Sequence, residues 1–97
     1  PPSIHPSFHP TMNLKPGQPI TFKVRTFRDA GGETWDFGDA TPPVSVTSDG
    51  NAKALAKDGY AITTHTYTQP GDYIVSVQHT NARGEKAQGH LWVRIEK

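Results

Sequence analysis

The aromatic residues Trp35 and Phe37 stand in a short run, Thr-Trp-Asp-Phe-Gly-Asp-Ala at positions 34–40, that constrains the fold more than any other part of the chain. Both alternate with polar neighbours, and successive side chains of a β-strand point to opposite faces. A short strand would therefore bury both rings on one side of a sheet. Gly38 and Asp39 follow directly and favour a turn that ends the strand. The run predicts part of a β-sheet core rather than a catalytic motif.

Alternation of apolar and polar residues with a period of two recurs along the chain, whereas a helical period does not. Its clearest example is the predicted strand that carries Ile20, Phe22 and Val24. The other predicted strands are a proline-interrupted edge strand at 4–12, the aromatic run at 34–37, extended pieces at 44–46 and 60–67, and two inward rows, Tyr73-Val75-Val77 and Leu91-Val93-Ile95. Residues 29–32 predict a turn, and residues 81–86 predict a hairpin in which Gly84 is available for a positive φ. About seven short strands predict an all-β, two-sheet sandwich.

A second segment, His-Thr-Tyr-Thr-Gln-Pro-Gly-Asp-Tyr at positions 65–73, leads into the apolar row at 73–77. Together with the run at 34–40 it resembles the two signatures of the PKD (polycystic kidney disease) domain, an immunoglobulin-like β-sandwich. The resemblance covers nearly the whole chain. It implies that the first segment lies on strand C and that the second spans the entry to strand F.

The resemblance implies structural roles for the residues of both segments, with Tyr73 at the position of a tyrosine corner. The implied structural motif comprises Trp35, Asp36, Phe37, Gly38, Asp39, His65, Tyr67, Gly71 and Tyr73. In the family the two aspartates hold the turn and do not react. One departure is Ala40, which stands where the family usually has glycine and leaves the backbone conformation of this turn open.

Length and composition limit the functions that the chain can have. The 97 residues predict one domain (residues 1–97), and the absence of cysteine removes disulfides, thiolate metal sites and cysteine nucleophiles. The formal net charge is +1 with both signs interspersed, which gives no electrostatic footprint for nucleic acid or an anionic membrane. No stretch approaches the ~20 apolar residues of a membrane span, so no membrane insertion is expected. The Pro-Pro start indicates an excised module whose residues 1–3 are a linker remnant.

The segment 48–59 fits the family pattern least well and is predicted to be an inserted loop. Residues 52–57 have high helix propensity but are too few for an isolated helix. Loops of this length often carry function. A solvated hairpin tip or a single helical turn is the favoured interpretation, because nothing in the segment forms a ligand pattern.

Paired carboxylates and a calcium site are the first chemical alternatives. Asp36 and Asp39 could act as acid and base, but Asp36 would point away from the aromatic face. Carboxylates in turns usually accept hydrogen bonds from backbone N–H groups, and we favour that role.

A calcium site is the second alternative. Some PKD domains bind calcium near the loop before strand C, where this chain has Asp29. The neighbouring acidic residue is missing, and one carboxylate does not make a hard-cation cage. We expect no metal and no cofactor.

Histidines and hydroxyls give no active site either. His5 and His9 are four residues apart, a spacing that does not bring two rings together on a strand. His65 lies within the family motif and is expected to be a hydrogen-bonded residue at the core boundary. Serine and threonine are plentiful, but no nucleophile elbow, phosphate loop or zinc-protease motif surrounds them. We therefore predict that the domain is not an enzyme.

The most interesting surface feature is Trp92. If Leu91, Val93 and Ile95 face the core, strand alternation turns the residues between them outward. The neighbouring strand and strand C would add polar and apolar side chains to the same outer face. The hypothetical binding surface comprises Trp92, His90, Arg94, Gln78 and Ile74. An isolated exposed tryptophan and a domain-packing surface remain equal alternatives, with glycan binding third.

These observations predict a non-catalytic accessory module of a larger extracellular or cell-surface protein, acting as a spacer or a domain-packing element. The alternative is a module that binds glycan or fibrous protein through the exposed aromatic face around Trp92. The expected partners are neighbouring domains of the parent protein, with a polysaccharide or fibrous-protein substrate as the alternative. Nucleic acid is not expected as a partner.

Overall fold

The computed structural model describes residues 4–26, 31–48 and 61–97. These ranges contain seven strands and no helix, in the order β1 Ile4–His9, β2 Pro19–Thr26, β3 Gly31–Asp36, β4 Val44–Ser48, β5 Ala61–Thr66, β6 Gly71–Asn81 and β7 Lys86–Ile95. Within them, therefore, no helix is long and apolar enough to cross a membrane. The predicted linker remnant (residues 1–3), the candidate calcium ligand Asp29 and residues 49–59 of the predicted inserted loop lie outside the described ranges.

Two antiparallel sheets form the fold. The three-stranded sheet has the order β1-β2-β5, and the four-stranded sheet has the order β4-β3-β6-β7. Inward-facing side chains of both sheets meet in one core, as the alternating pattern of the sequence requires. The predicted all-β, two-sheet antiparallel sandwich of about seven strands is confirmed.

The core is built around aromatic rings from both sheets. Its buried apolar residues are Leu14, Ile20, Phe22, Val24, Trp35, Phe37, Tyr67, Val75, Val77, Val93 and Ile95. The ring of Phe22 from β2 lies 5.7 Å from that of Trp35 and 5.0 Å from that of Phe37. Such aromatic pairs contribute roughly 0.5–1.5 kcal/mol beyond the area they bury. The three rings therefore pack the two sheets against each other.

The longest strand pair is the β6–β7 hairpin, whose turn follows the sequence prediction. Gly84 has a φ of 80°. The side-chain oxygen of Asn81 accepts hydrogen bonds from the backbone N–H groups of Arg83 and Glu85. These bonds fix the turn and hence the register in which β6 and β7 pair.

Four details of the sequence prediction are wrong. Tyr73 and Leu91 are half-buried rather than buried, because they lie at the margin of the core and pack against it. Gly31 and Gly32, predicted to lie in a turn at 29–32, belong to β3 and pair with β4 and β6, whereas residues 29 and 30 lie outside the described ranges. The strand predicted at 60–67 ends at residue 66, and Ser48 belongs to β4 rather than to the inserted loop.

Candidate functional site

The turn after β3 is held by its two aspartates. Asp36 accepts a hydrogen bond from the backbone N–H of Gly38 at 3.0 Å. Asp39 accepts one from the backbone N–H of Thr41 at 3.2 Å and another from the Thr41 hydroxyl at 2.5 Å. Both carboxylates are thus engaged in local turn geometry, the role that the family resemblance implies.

His65 joins this turn to the opposite sheet. It lies on β5 of the three-stranded sheet, and its Nε2 is 2.7 Å from Oδ2 of Asp39. The imidazole is stacked on Phe37 with ring centroids 4.0 Å apart and meets Tyr67 edge-on. Both side chains of the His65–Asp39 pair are only 14% exposed. His65 is therefore a hydrogen-bonded residue at the core boundary.

Two tyrosine hydroxyls make further hydrogen bonds, one between the two signature segments and one within the second segment. The Tyr67 hydroxyl donates to the backbone carbonyl of Phe37 at 2.8 Å in the core. Burial raises the pKa of Tyr67, and the nearby Asp39 carboxylate raises it further, so the hydroxyl stays a donor. The Tyr73 hydroxyl donates to the carbonyl of Gln69 at 2.7 Å, the geometry of a tyrosine corner. All of these contacts serve the fold.

Asp39 makes the stability of the domain depend on pH. Burial raises the pKa of its carboxyl, but hydrogen bonds from Thr41 and His65 outweigh burial, so the pKa lies below the ordinary 3.8. A carboxyl whose pKa is depressed in the folded state stabilises it above the unfolded pKa, and this contribution is lost as the pH falls through the folded value. We expect the free energy of unfolding to fall below about pH 4, and to fall less steeply in Asp39→Asn. Urea denaturation at several pH values around and below 4 measures this dependence. If the free energy of unfolding fell equally steeply with pH in both proteins, Asp39 would be ruled out as the source.

Ala40 adopts the backbone conformation that a glycine would take, with a φ of 68°. A left-handed conformation costs an L-residue about 1–2 kcal/mol, whereas glycine loses about 0.5–1 kcal/mol through its greater freedom when unfolded. Ala40→Gly should therefore raise the free energy of unfolding by about 0.5–1 kcal/mol. Ala82→Gly, at an exposed hairpin residue without a positive φ, is the matched control and should not stabilise. Thermal denaturation of both variants gives the comparison. If Ala40→Gly did not raise the melting temperature, it would contradict backbone strain at Ala40.

A buried polar pair, Glu33 on β3 and His79 on β6, was not predicted from the sequence. The two residues are direct register partners, and the carboxylate contacts Nδ1 of the imidazole. Both side chains are fully buried. Ionisable groups are rarely buried unless paired, because desolvation is costly. The signal in the sequence was parity: Glu33 alternates with Trp35, and His79 alternates with Val77, so both had to face inward.

The outer face of the four-stranded sheet carries all five residues predicted around Trp92, although Gln78 pairs with Gln88 and lies farther from Trp92 than the others. Ile74 and Trp92 are direct cross-strand partners on β6 and β7, and they are 59% and 62% exposed. His90 and Arg94 are exposed on either side of Trp92 along β7, and Gln78 points outward on β6. We call the surface formed by Ile74, Gln78, His90, Trp92 and Arg94 the Trp92 face.

Beside the Trp92 face, strand pairing places Ser76 between a carboxylate residue and a histidine. Ser76 has His90 as its partner on β7 and Asp36 as its partner on β3. A nucleophilic triad requires the histidine between the serine and the carboxylate, whereas here the serine is in the middle. Asp36 is also occupied by the backbone of Gly38. No cluster of three potential metal ligands occurs within residues 4–26, 31–48 and 61–97.

A match to one family model shows which family the chain belongs to. The family model of the PKD domain matches residues 7–91. The chain belongs to the PKD domain family. The matched range includes both signature segments, at 34–40 and 65–73. Their side chains connect the two sheets through the His65–Asp39 contact and the hydrogen bond of the Tyr67 hydroxyl.

Solved structures of PKD domains have the same fold. The solution structure of the PKD domain from the human VPS10 domain-containing receptor SorCS2 superimposes with a TM-score of 0.74 at 24% identity, covering 99% of this chain and 75% of that one. A PKD domain of an M14-like peptidase from a Thermoplasmatales archaeon gives a TM-score of 0.65 at 20% identity, covering 99% and 93%. A superoxide reductase (neelaredoxin) from Ignicoccus hospitalis gives 0.64 at 12% identity, covering 94% and 79%. No curated protein sequence matches this chain significantly.

PKD domains are typically modules within larger proteins, and they commonly occur in extracellular or cell-surface proteins. At identities below 25% these structural likenesses concern the fold alone.

Proposed function

We propose that this PKD domain is a non-catalytic module of a larger extracellular or cell-surface protein, in which it packs against a neighbouring domain through the Trp92 face. The supporting observation is the pair formed by Trp92 and Ile74, two large apolar side chains that lie side by side on an otherwise polar sheet. Aromatic anchors often dominate interface energetics, and a surface tryptophan beside an aliphatic residue forms such an anchor.

The size of the apolar pair suits a tethered partner. A stable interface between separate proteins buries about 800 Å² on each side, far more than two side chains provide. Two domains of one chain meet at an effective concentration in the millimolar range, so a weak contact is enough to hold them together. The polar side chains around Trp92 would form the rim of such a contact and keep the face soluble when it is open.

The test compares the stability of the domain alone with its stability inside the parent protein. Docking stabilises a domain because the partner binds only the folded form. Trp92→Ala should leave the melting temperature of the isolated domain nearly unchanged and should abolish the additional stability in the parent protein, about 2 kcal/mol for an anchor residue. Ile62→Ala is the matched control, because Ile62 is 57% exposed on the opposite sheet. Equal stability of the domain in both contexts would overturn the proposal.

Glycan binding by the same face is the second candidate, and a specific feature favours it. Trp92 stands beside the hydrogen-bonding side chains His90 and Arg94, and a flat aromatic ring next to polar groups suits the face of a sugar ring. Co-sedimentation of the isolated domain with insoluble polysaccharide separates the candidates. Sedimentation that Trp92→Ala abolishes and Ile62→Ala does not would favour the glycan.

A further inference from the structure

The outermost strands of the two sheets differ in how well they are protected against pairing with another chain. They are β1 and β5 in one sheet and β4 and β7 in the other. β4 has five residues, β5 has six, and β1 carries Pro6. Short strands and prolines are common means of blocking an exposed edge. β7 has ten residues and no proline, and its ladder with β6 runs without a bulge from Lys86 to Ile95. It is the least protected of the four edges.

The β6–β7 hairpin shows which backbone groups of β7 point away from β6. The backbone N–H of Asn81 donates to the carbonyl of Glu85 at 3.0 Å, so these two residues form a hydrogen-bonded pair. Opposite residues of an antiparallel ladder alternate between bonded and non-bonded pairs. Counted from this pair, the non-bonded residues of β7 are Lys86, Gln88, His90, Trp92 and Arg94. Their N–H and C=O groups form a row that we call the β7 edge, and within the described ranges no other strand pairs with it.

Glu96, the next residue in this alternating series, confirms the direction of the row. Its backbone N–H donates to the carbonyl of Leu14 at 2.7 Å, so an extended segment can approach this side of β7 closely enough to bond. The contact does not continue along β7. There β1 packs against it from the other sheet, and a Cβ added at Gly89 would lie 2.9 Å from the ring of Pro6. Proline has no N–H to donate, so β1 does not complete the edge at this point.

The side chains along β7 indicate the chemistry of a partner strand. Lys86, His90 and Arg94 are exposed, and the strand contains no carboxylate. Arg94 has Asp72 as its partner on β6, yet in the described part of the chain neither Lys86 nor Arg94 takes part in an ion pair. A second copy of β7 would bring basic residues together, and like charges on paired strands are destabilising. An acidic strand would instead be attracted.

We propose that the β7 edge binds an extended acidic segment of another protein by antiparallel β-strand addition. In this mode main-chain hydrogen bonds give affinity and alternate side chains give specificity. Residues opposite Lys86 and Arg94 would be acidic, and the residues between would turn apolar side chains towards the half-buried Leu91. The proposal goes beyond domain packing, because packing uses side chains of the Trp92 face whereas strand addition uses the backbone of β7.

Binding of a synthetic peptide to the whole chain, followed by fluorescence anisotropy, tests the proposal. The peptide is as long as the segment 86–94, with glutamate at both ends and valine alternating with threonine between them. In antiparallel pairing the threonine amides face β7 and the valine amides face away. We expect the peptide N-methylated at its valines to bind. The peptide N-methylated at its threonines should bind at least roughly tenfold more weakly, since each lost hydrogen bond costs about a two- to tenfold factor.

Variants of β7 test the same contact from the side of the protein. Gln88→Pro removes one N–H from the β7 edge and leaves the ladder to β6 intact, a substitution that edge strands tolerate. It should weaken binding about tenfold, whereas the matched control Gln88→Ala keeps the N–H and should bind like the original chain. Lys86→Gln and Arg94→Gln should each weaken binding by up to about fivefold, and by less at high salt.

Several outcomes overturn the proposal. They are no binding of the valine-methylated peptide, equal binding of the two methylated peptides, and equal binding by folded Gln88→Pro and Gln88→Ala. Undiminished binding of a peptide with lysine in place of its glutamates would exclude an acidic partner. Sedimentation that shows a dimer broken by Gln88→Pro would assign the edge to a second copy of the chain. Gln88→Pro keeps every side chain of the Trp92 face, so failure here leaves the test of domain packing unaffected.

Discussion

Trp35→Ala is expected to lower the free energy of unfolding by about 3–5 kcal/mol, the range for truncating a large buried aromatic. Trp35 is fully buried, and its ring stacks on Phe37 and contacts Phe22 from the opposite sheet. The truncation would leave a cavity between the sheets and remove contacts that fasten them together. A domain of this size has only about 5–15 kcal/mol of stability in total. Thermal denaturation should show a fall of more than about 12 °C.

The second tryptophan of the chain is a matched control for this experiment. Trp92 has the same side chain but lies on the outer face, 62% exposed, so Trp92→Ala should change the melting temperature of the isolated domain little. Surface substitutions are usually within about 0.5 kcal/mol. A Trp35→Ala variant that melts at the original temperature, or a Trp92→Ala variant that loses as much stability, would contradict the strand register and the core described above.

Gly38→Ala should be nearly as damaging as Trp35→Ala, for a reason that lies in the backbone. A Cβ at Gly38 would lie 2.4 Å from the carbonyl oxygen of Ile74 on β6. Backbone cannot move aside as a flexible side chain can, so β3 and β6 would have to separate at this point. The positive φ of 77° adds the ordinary strain of a left-handed alanine, about 1–2 kcal/mol. With the clash included, we expect a loss of about 2–5 kcal/mol.

Gly84→Ala is the control that separates the backbone strain from the clash. Gly84 has nearly the same φ, 80°, but a Cβ there would meet no atom within 4 Å. Its loss should be confined to the left-handed strain, about 1–2 kcal/mol. Urea denaturation of both variants gives the difference directly. Equal losses at the two positions would show that the turn after β3 can move away from β6.

Parity along the strands explains why much of the fold could be predicted from the sequence. An inward row at Leu91, Val93 and Ile95 leaves Trp92 outside, because a strand cannot turn adjacent residues to the same side. The hairpin predicted at 81–86 paired β6 with β7, so the neighbours of Trp92 on β6 could be named as well. These inferences use periodicity and a short hairpin connection, both of which are local features of the sequence, whereas the place of β3 in the same sheet was implied by the family resemblance.

The inward direction of Glu33 and His79 follows from the same rule, but their pairing does not. Glu33 has the parity of Trp35, and His79 has that of Val77. Polar side chains are usually exposed to solvent, but here the contact between the two side chains makes burial tolerable. Mutual pairing across two strands cannot be recognised until the register is known, which is why this pair emerged only from the structure.

The most direct test of the proposed packing role is photo-crosslinking in the parent protein. Benzoylphenylalanine placed at the position of Trp92 should crosslink to a peptide of a neighbouring domain, identified by mass spectrometry. The same photo-crosslinker at the position of Ile62, on the opposite sheet, should give no such crosslink to that peptide. We predict a crosslink from position 92 alone. No crosslink from position 92, or equal crosslinking from both positions, would contradict a role for the Trp92 face in domain packing.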